Sequence, residues 1–502
     1  MMLDPAQYKR GWCPGIRQPM MSGDGLLVRI RPRAGAFPLT ALLAVCDAAA
    51  CCGNGEIDLT RRANLQVRGV STETLPALIE QLAPYGLLDA SAEAEAVRNV
   101  MVSPLAGACA DEILDMRPLA RALEQALATD AELWRLPAKF GFVLDGGGGP
   151  TLEDVRGDIR LLAQAAGGAV TIALGVERMV RNQSAGPFWL VGTSPAEAPT
   201  AAIRIAKACL AGASVEDLAG TCSAPSPLRG ESWGEGACCE AAVNDASTGQ
   251  IHRSPQHVSP LTPALSQAGR GNSADRRNSS GGNSALPGDA KLATQITFCD
   301  SPHGGGENRA SITSGQRRRL GAAPLADGRV AVGIAVAFGR ISARDLAKLS
   351  HVAVQAGCED VRLSPWRALY IVAPDEQRAA RILDRASALD LIVDDTDPLL
   401  AIDACPGKPA CDSATLATRE TARALTRLLP QLSGIGSIHV SGCAKGCARS
   451  KPADLVLAAR GDRLAVIRHG RADDASDLSI APADIARLPE LLRDATEGTS
   501  HV

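Results

Sequence analysis

From Asp24-Gly25 onward, Leu26, Val28 and Ile30 fall on one side of an extended chain and Leu27, Arg29 and Arg31 on the other, an alternation that predicts a strand. Leu39 to Ala50 reads as a helix, Ile57-Asp58-Leu59-Thr60 and Asn64 to Arg68 as strands, and a helix capped around Ser71 or Thr72 continues to Leu82. The same order returns 303 to 304 residues later. Asp327-Gly328 opens a strand with Val330, Val332, Ile334 and Val336 on one face, a helix precedes Gly357, and Val361-Arg362-Leu363 and Leu369-Tyr370-Ile371-Val372 match the later strands. Further on, Cys109, Leu114, Arg117, Ala120, Arg121, Ala122 and Leu123 recur at a constant offset of 302 as Cys411, Leu416, Arg419, Ala422, Arg423, Ala424 and Leu425. So many coincidences at one offset predict two homologous halves packed about a pseudo-twofold axis.

Between the halves, from about Ser223 to Arg318, the periodicity stops and the sequence becomes polar and rich in Pro, Gly and Ser. Such a composition cannot offset its ordering entropy by apolar burial, so it predicts a disordered insertion. Its Cys238, Cys239, Cys299, His252, His257 and His303 are scattered without metal-ligand spacing. A chain of 502 residues implies two to four domains. A net charge of −3 gives no electrostatic case for nucleic acid or a membrane surface. Met1 to Arg17 holds no signal-type apolar region and no apolar run approaches the length of a membrane span, so a cytoplasmic protein is expected.

The chemistry concentrates near the C-terminus, in Cys405-Pro-Gly-Lys-Pro-Ala-Cys411 and Cys443-Ala-Lys-Gly-Cys447. Pro406, Gly407 and Pro409 forbid a helix between the first pair, so the loop can wrap a soft metal centre. Gly442 and Gly446 let backbone approach an inorganic core and offer N–H groups to it. An Fe–S cluster is the direct reading. A zinc site is the main alternative, although an x5 loop is wide for it. Disulfides fit poorly with an odd count of 15 cysteines, and inert core cysteines do not come as paired pairs among Gly and Pro. The halves are chemically unequal: Cys405 corresponds to Ser103, and nothing in the first half matches Cys443 and Cys447. The first half instead carries Asn64, Gln66 and Arg68 on one strand face, where the second has Ala368, Tyr370 and Val372. Such a face suits a carboxylate-rich ligand; a solvated outer face is the plainer alternative.

These residues resemble the siroheme sulfite and nitrite reductase superfamily, and within it most closely the precorrin-3B synthase family of aerobic cobalamin biosynthesis. The superfamily's cysteine pairs match Cys405, Cys411, Cys443 and Cys447, and its Thr-x-Arg-x-x-x-Gln segment matches Thr60 to Gln66. Its Arg-Asn-Val appears as Arg98-Asn99-Val100 and its Leu-Pro-x-Lys-Phe as Leu136 to Phe140. The opening Gly11-Trp12-Cys13-Pro14-Gly15, with Pro19 and Gly23 to Leu27, resembles the cobalamin branch. The resemblance implies an α+β, sulfite/nitrite reductase-like duplicated fold, with two ferredoxin-like lobes and two mixed α/β lobes around a central tetrapyrrole cleft. It divides the chain into a first ferredoxin-like half-domain (1–90), a cluster-less α/β domain (91–222), the insertion (223–320), a second ferredoxin-like half-domain (321–398) and a [4Fe-4S]-binding domain (399–502).

On this resemblance Arg62, Asn64, Gln66, Arg68, Arg98, Asn99 and Lys139 contact the tetrapyrrole, and the four cysteines hold a [4Fe-4S] cluster. The implied reaction is monooxygenation of precorrin-3A to precorrin-3B with O2 and reductant, by hydroxylation and γ-lactone formation. A siroheme-dependent sulfite or nitrite reductase is the alternative, in which a cysteine at the place of Cys447 bridges siroheme iron and cluster. A non-catalytic Fe–S electron-transfer protein is the second alternative. One departure separates the first two: the reductases carry a second Lys two residues beyond Lys139, and here that position is Gly141. A lost cation weakens a small-anion site without harming a macrocycle reader. Lys139 and Arg62 then read as carboxylate holders, with an exposed salt bridge as the alternative. A mononuclear non-haem iron is a further candidate cofactor. Outside the insertion and tail, however, only His351, His439 and His469 could serve it, and none forms an H-x-D/E pair. No G-x-G-x-x-G is present, so NADH is expected to act through a separate reductase.

Overall fold

The alternating segments of the two halves build four five-stranded sheets, two of which exchange a strand. The computed structural model describes residues 13–213 and 319–497, except 167, 181, 182, 450 and 477; the expected insertion from about Ser223 to Arg318 lies outside them. In the first sheet the order is Met20–Ser22, Gly25–Ile30, Leu65–Val70, Glu56–Leu59 and then Arg340–Ser342, a strand of the second half. Its repeat mate runs Gly321–Pro324, Val330–Ala335, Ala368–Ala373, Asp360–Leu363 and then Ala36–Pro38, a strand of the first half. The exchanged strands pair antiparallel, with Arg340 opposite Asp58 and Val361 opposite Phe37. Helices Leu39–Cys52 and Ala343–Gln355 belong with both sheets to one continuous apolar core. Neither ferredoxin-like half therefore closes its core alone.

The other two sheets repeat one another strand for strand. Val100–Val102, Phe142–Asp145 and Ile159–Ala166 run parallel, and Ala169–Val180 and Gln183–Thr193 follow antiparallel. Ile402–Ala404, Ile438–Ser441 and Ala453–Arg460, then Arg463–Gly470 and Leu478–Ile480, have the same order and senses. The internal repeat thus extends through all four sheets.

Two boundaries differ from the sequence expectation for local reasons. The strand expected from Asn64 begins at Leu65, because Asn64 closes a turn: its carbonyl accepts the Thr60 N–H at 2.9 Å, with Ala63 in the left-handed region (φ 51°). Arg367, at the equivalent turn of the second half, also has a positive φ, 60°. The helix expected from Ser71 or Thr72 begins at Leu75, because Ser71 and Thr74 cap each other first, Thr74 Oγ1 taking the Ser71 N–H at 3.0 Å and Ser71 Oγ the Thr74 N–H at 3.2 Å.

The two ferredoxin-like sheets use their second faces differently. In the second half, Ala331, Ala335, Ala368 and Tyr370 pack on Leu105 and Ala108 in an apolar cluster. In the first half the corresponding face carries Arg29, Arg31, Gln66 and Arg68, all half-buried or buried. A solvated face is thereby excluded for Arg31 and Arg68, and their charges must find partners inside the protein.

Candidate iron–sulfur centre and cationic cleft

The cysteine loops follow the parallel strands Ile402–Ala404 and Ile438–Ser441, whose ends lie side by side, with Ala404 opposite Val440. Cys405 is buried, Cys411 and Cys443 are half-buried and Cys447 is exposed. The Gly442 N–H donates to Cys405 Sγ at 3.3 Å, and Thr418 Oγ1 donates to the Cys405 carbonyl at 2.6 Å. A Cβ at Gly442 would press on that of Ala414 at 2.6 Å, and Gly446 has φ 57° with its position against Ala472 and His439. Only glycine fits this cradle without strain. Burial raises the Cys447 thiol, and Cys405, Cys443 and Cys411 raise it further. The four thiols therefore sense one another, yet among the described residues no three Cys, His, Asp or Glu side chains gather as they would around a single ion. Four thiols on two neighbouring loops, an amide already donating to sulfur and two Cβ-free approaches fit a multi-iron core better than one tetrahedral zinc.

The first half clamps this cradle from the side. Arg68 donates Nε to Asp24 Oδ2 at 3.1 Å and Nη2 to Asp24 Oδ1 at 2.6 Å, and Nη2 also meets the Ala410 carbonyl, next to Cys411. Ser22 Oγ donates to the same carbonyl at 2.7 Å. Two carboxylates, the buried Asp58 and the half-buried Asp403, bind the domains together. Asp58 receives Arg340 at 2.8 and 3.0 Å and Arg419 at 2.9 Å. Asp403, two residues before Cys405, receives Arg61 at 3.0 Å, Arg449 at 3.1 Å and Arg367 at 3.4 Å. Burial pushes both carboxyls up, but the surrounding guanidiniums outweigh it and hold each below the usual carboxylate value.

The three segments singled out in the first half converge on one another. Arg62 Nη2 donates to the Lys139 carbonyl at 3.0 Å, and Asn99 Nδ2 donates to the carbonyls of Ala96, Ala138 and Phe140 at 3.0 to 3.2 Å. The expected contact set divides accordingly. Arg68 is spent on Asp24 and the cysteine loop, so it serves the framework instead of a ligand carboxylate. Arg98, 2% exposed, grips Asp89 through Nε and Nη2 at 2.9 to 3.0 Å and gives Nη1 to the Pro32 carbonyl at 2.8 Å. Asn99 holds the Lys139 loop, and Asn64 is a buried turn residue. Arg62, half-buried, Lys139, exposed, and Gln66, half-buried, remain as candidates to face a ligand.

Cys13, from the opening motif, and two arginines outside the motifs extend this group. Arg29 and Arg31 come from the strand Gly25–Ile30 and the residue after it, and Cys13 lies against both. Burial pushes the Cys13 thiol up, but Arg29, Arg31 and Arg62 outweigh it and hold it below its ordinary value. Two arginines in an otherwise apolar strand were the available signal. The Gly141 N–H donates to Asp158 Oδ2 at 2.7 Å, so a carboxylate stands beside the position where the resembling reductases place a second lysine. Of the candidate histidines, His351 and His469 are exposed; His439 is buried, burial lowers it to about 4, and neither ring nitrogen has a hydrogen-bond partner. In the first half the counterpart of the cysteine cradle is filled by protein. Ser103 Oγ donates to the Pro150 carbonyl at 3.1 Å, and Cys109 Sγ to Asp111 at 2.7 Å and the Gly149 carbonyl at 3.0 Å.

Among the described residues no helix is long and apolar enough to cross a membrane. The family model for the nitrite/sulfite reductase ferredoxin-like half domain matches residues 18–85 and 323–389, the two strand-exchanged sheets. That for the nitrite and sulphite reductase 4Fe-4S domain matches residues 93–210. This second match falls on the repeat copy that lacks the cysteine pairs, which the duplication of the domain explains. A precorrin-3B synthase of Sinorhizobium sp is 30% identical over 503 residues, covering 98% of this chain and 91% of its own length. A ferredoxin–nitrite reductase of Synechococcus elongatus is 32% identical over 152 residues, 29% of this chain and 30% of its own. The solved structure of the Mycobacterium tuberculosis NirA protein superposes with a TM-score of 0.60 at 16% identity, covering 93% of this chain and 80% of that one, and so shows the shared α+β duplicated fold. With the strand-exchanged sheets, the repeated α/β domains and a full-length relative in agreement, the chain belongs to the precorrin-3B synthase family of the nitrite/sulfite reductase superfamily.

Proposed function

We propose that this chain is a monooxygenase that converts precorrin-3A to precorrin-3B, hydroxylating the macrocycle with closure of a γ-lactone. Cys405, Cys411, Cys443 and Cys447 would hold a [4Fe-4S] cluster, which when bound supplies electrons one at a time. The balance is one O2 and two electrons per substrate, one oxygen atom entering the macrocycle and the other leaving as water. The electrons would come from NADH through a separate reductase.

The observation that carries the reading is the charge layout at Lys139 to Gly141. Reduction of sulfite or nitrite concentrates negative charge and calls for clustered cations. Here the position two residues beyond Lys139, Gly141, has no side chain and its N–H is held by the Asp158 carboxylate. Arg62 lies against that corner, its Nη1 4.0 Å from where a Gly141 Cβ would sit, and the Asp158 carboxylate offsets part of its charge, so Arg62 and Lys139 suit the spread carboxylates of a tetrapyrrole better than one small anion that needs clustered cations. Asn99 fixes the Lys139 loop through the Ala138 and Phe140 carbonyls, so that donor is oriented before a ligand arrives.

Protein purified anaerobically is expected to show broad Fe–S absorption without sharp siroheme bands, and with precorrin-3A, O2 and reductant to yield product heavier by one oxygen atom. Stoichiometric siroheme would overturn the reading. Arg62→Ala and Lys139→Ala are each expected to weaken precorrin-3A binding by roughly ten- to a hundredfold with the cluster spectrum intact. Unchanged affinity in both variants, measured by titration, would remove these residues from the site.

A further inference from the structure

Cys13, Arg29, Arg31 and Glu95 form a closed charge set. Arg29 donates Nη1 to the Cys13 sulfur at 2.5 Å and gives Nε and Nη2 to Gln66 Oε1 at 3.2 and 2.7 Å, so each of its nitrogens is engaged within the chain. Arg31, 2% exposed, reaches Asn99 Oδ1 with Nε at 3.5 Å and lies 3.6 Å from Glu95 Oε1. Neither Nη1 nor Nη2 of Arg31 has a hydrogen-bond partner, although both are buried and the guanidinium faces Cys13. Glu95 is itself pinned, accepting the N–H groups of Ile16 and Arg17 at 2.7 and 2.9 Å. Buried donors without an acceptor are rare and mark a place that an anion would fit. The nearest candidate is the sulfur of Cys13, a residue only 6% exposed.

We propose that Cys13 is a specificity-determining residue whose sulfur is the resident acceptor of this corner and reserves the Arg29–Arg31 pair against small inorganic oxyanions. The Cys13 sulfur and the Glu95 carboxylate face Arg29 and Arg31, and Arg62 acts on the sulfur as well. Without the sulfur, Arg29 has a released donor and Arg31 Nη2 remains without a hydrogen bond or carboxylate contact, beside Arg62, in a partly desolvated setting where charge-assisted hydrogen bonds are strong. Sulfite or nitrite would then find a seat. A large ligand that meets Arg62 and Lys139 needs no part of this corner, so the thiol can reject small anions without obstructing it. The inference rests on the cleft being the ligand site, as in the proposed function, and not on the reaction carried out there.

The test is calorimetric titration of sulfite and of nitrite into cluster-loaded wild type, Cys13→Ala, Cys13→Ser and the double variant Cys13→Ala/Arg29→Ala. Cys13→Ala is expected to bind sulfite about ten- to a hundredfold more tightly than wild type. Cys13→Ser, which keeps a neutral hydroxyl in place of the sulfur, should fall between, and the double variant should lose most of the gain. If Cys13→Ala fails to retain the cluster, the serine variant decides. Wild type binding sulfite as tightly as the variants overturns the inference, as do cluster-loaded variants that bind it no better than wild type. Titrating precorrin-3A into wild type in parallel tests the proposed function separately. A wild type that binds neither ligand, beside a variant that gains sulfite, would remove the precorrin reading and leave the role of Cys13 standing.

Discussion

Cys405→Ala and Cys443→Ala are each expected to strip most iron and acid-labile sulfide from the protein and to loosen the region 399–502. The two cysteines lie on different loops, after strands that run side by side, so either loss opens one wall of the cradle. Cys405 is the more deeply placed: its sulfur takes the Gly442 N–H and its carbonyl the Thr418 hydroxyl. Metal binding at thiolate sites is also folding free energy, on the order of 10 kcal/mol for structural centres, so the variant should unfold at lower temperature as well as lose its colour. Cys109→Ala supplies the control. Cys109 is the repeat counterpart of Cys411, but its sulfur is spent on Asp111 and the Gly149 carbonyl, and its loss should leave iron content unchanged. Iron and sulfide analysis with a thermal scan checks all three variants. Full cluster content in both Cys405→Ala and Cys443→Ala would sink the ligand assignment.

Asp58→Ala is expected to cost about 2–3 kcal/mol of stability, because it leaves the half-buried Arg340 and Arg419 without the carboxylate that neutralises them. Asp58 lies on the first half's sheet, Arg340 on the strand that the second half lends to that sheet, and Arg419 on the helix Thr418–Thr426 beside the cysteine cradle. One side chain therefore joins three parts of the chain. The acid dependence follows from the same geometry. Burial alone would raise the Asp58 carboxyl, but Arg419, Arg340 and Arg68 hold it below its unfolded value. Its contribution is therefore fully present above the ordinary carboxylate range and is lost as pH falls through the folded value. Anaerobic denaturant unfolding from pH 7 downward should show wild type and Asp58→Ala converging in acid. Replacing Asp58, Arg340 and Arg419 together by apolar residues of similar volume should recover much of the loss, since the penalty comes from unpaired charge. A difference below about 1 kcal/mol at pH 7 would mean that water reaches the arginines and that the junction is weaker than its geometry suggests.

Strand periodicity, the 302 to 304 residue repeat and the cysteine spacing were all legible in the sequence, because each is a relation between neighbours or between two copies of one pattern. The same holds for the convergence of Thr60 to Gln66, Arg98-Asn99 and Leu136 to Phe140, which the resemblance implied and hydrogen bonds from Arg62 and Asn99 make concrete. The allocation of the arginines was not legible. A strand carrying Arg68 and a loop carrying Arg98 look like ligand contacts until Asp24, Asp89 and the Ala410 carbonyl are placed against them. Those pairings depend on tertiary approach: Arg68 and Ala410 are 342 positions apart, and Asp58 and Arg419 are 361. Strand exchange between the halves was hidden for the same reason, since Arg340–Ser342 and Ala36–Pro38 have ordinary strand character and nothing local says which sheet receives them. The sequence by itself determined the main strands and helices of the ferredoxin-like halves, that the pattern occurs twice, and that the second copy alone carries the four thiols. Only the tertiary structure decided which charges are spent within the protein and which remain for a ligand, because a buried charge is satisfied by whatever group the fold brings within about 3 Å, however distant in the chain.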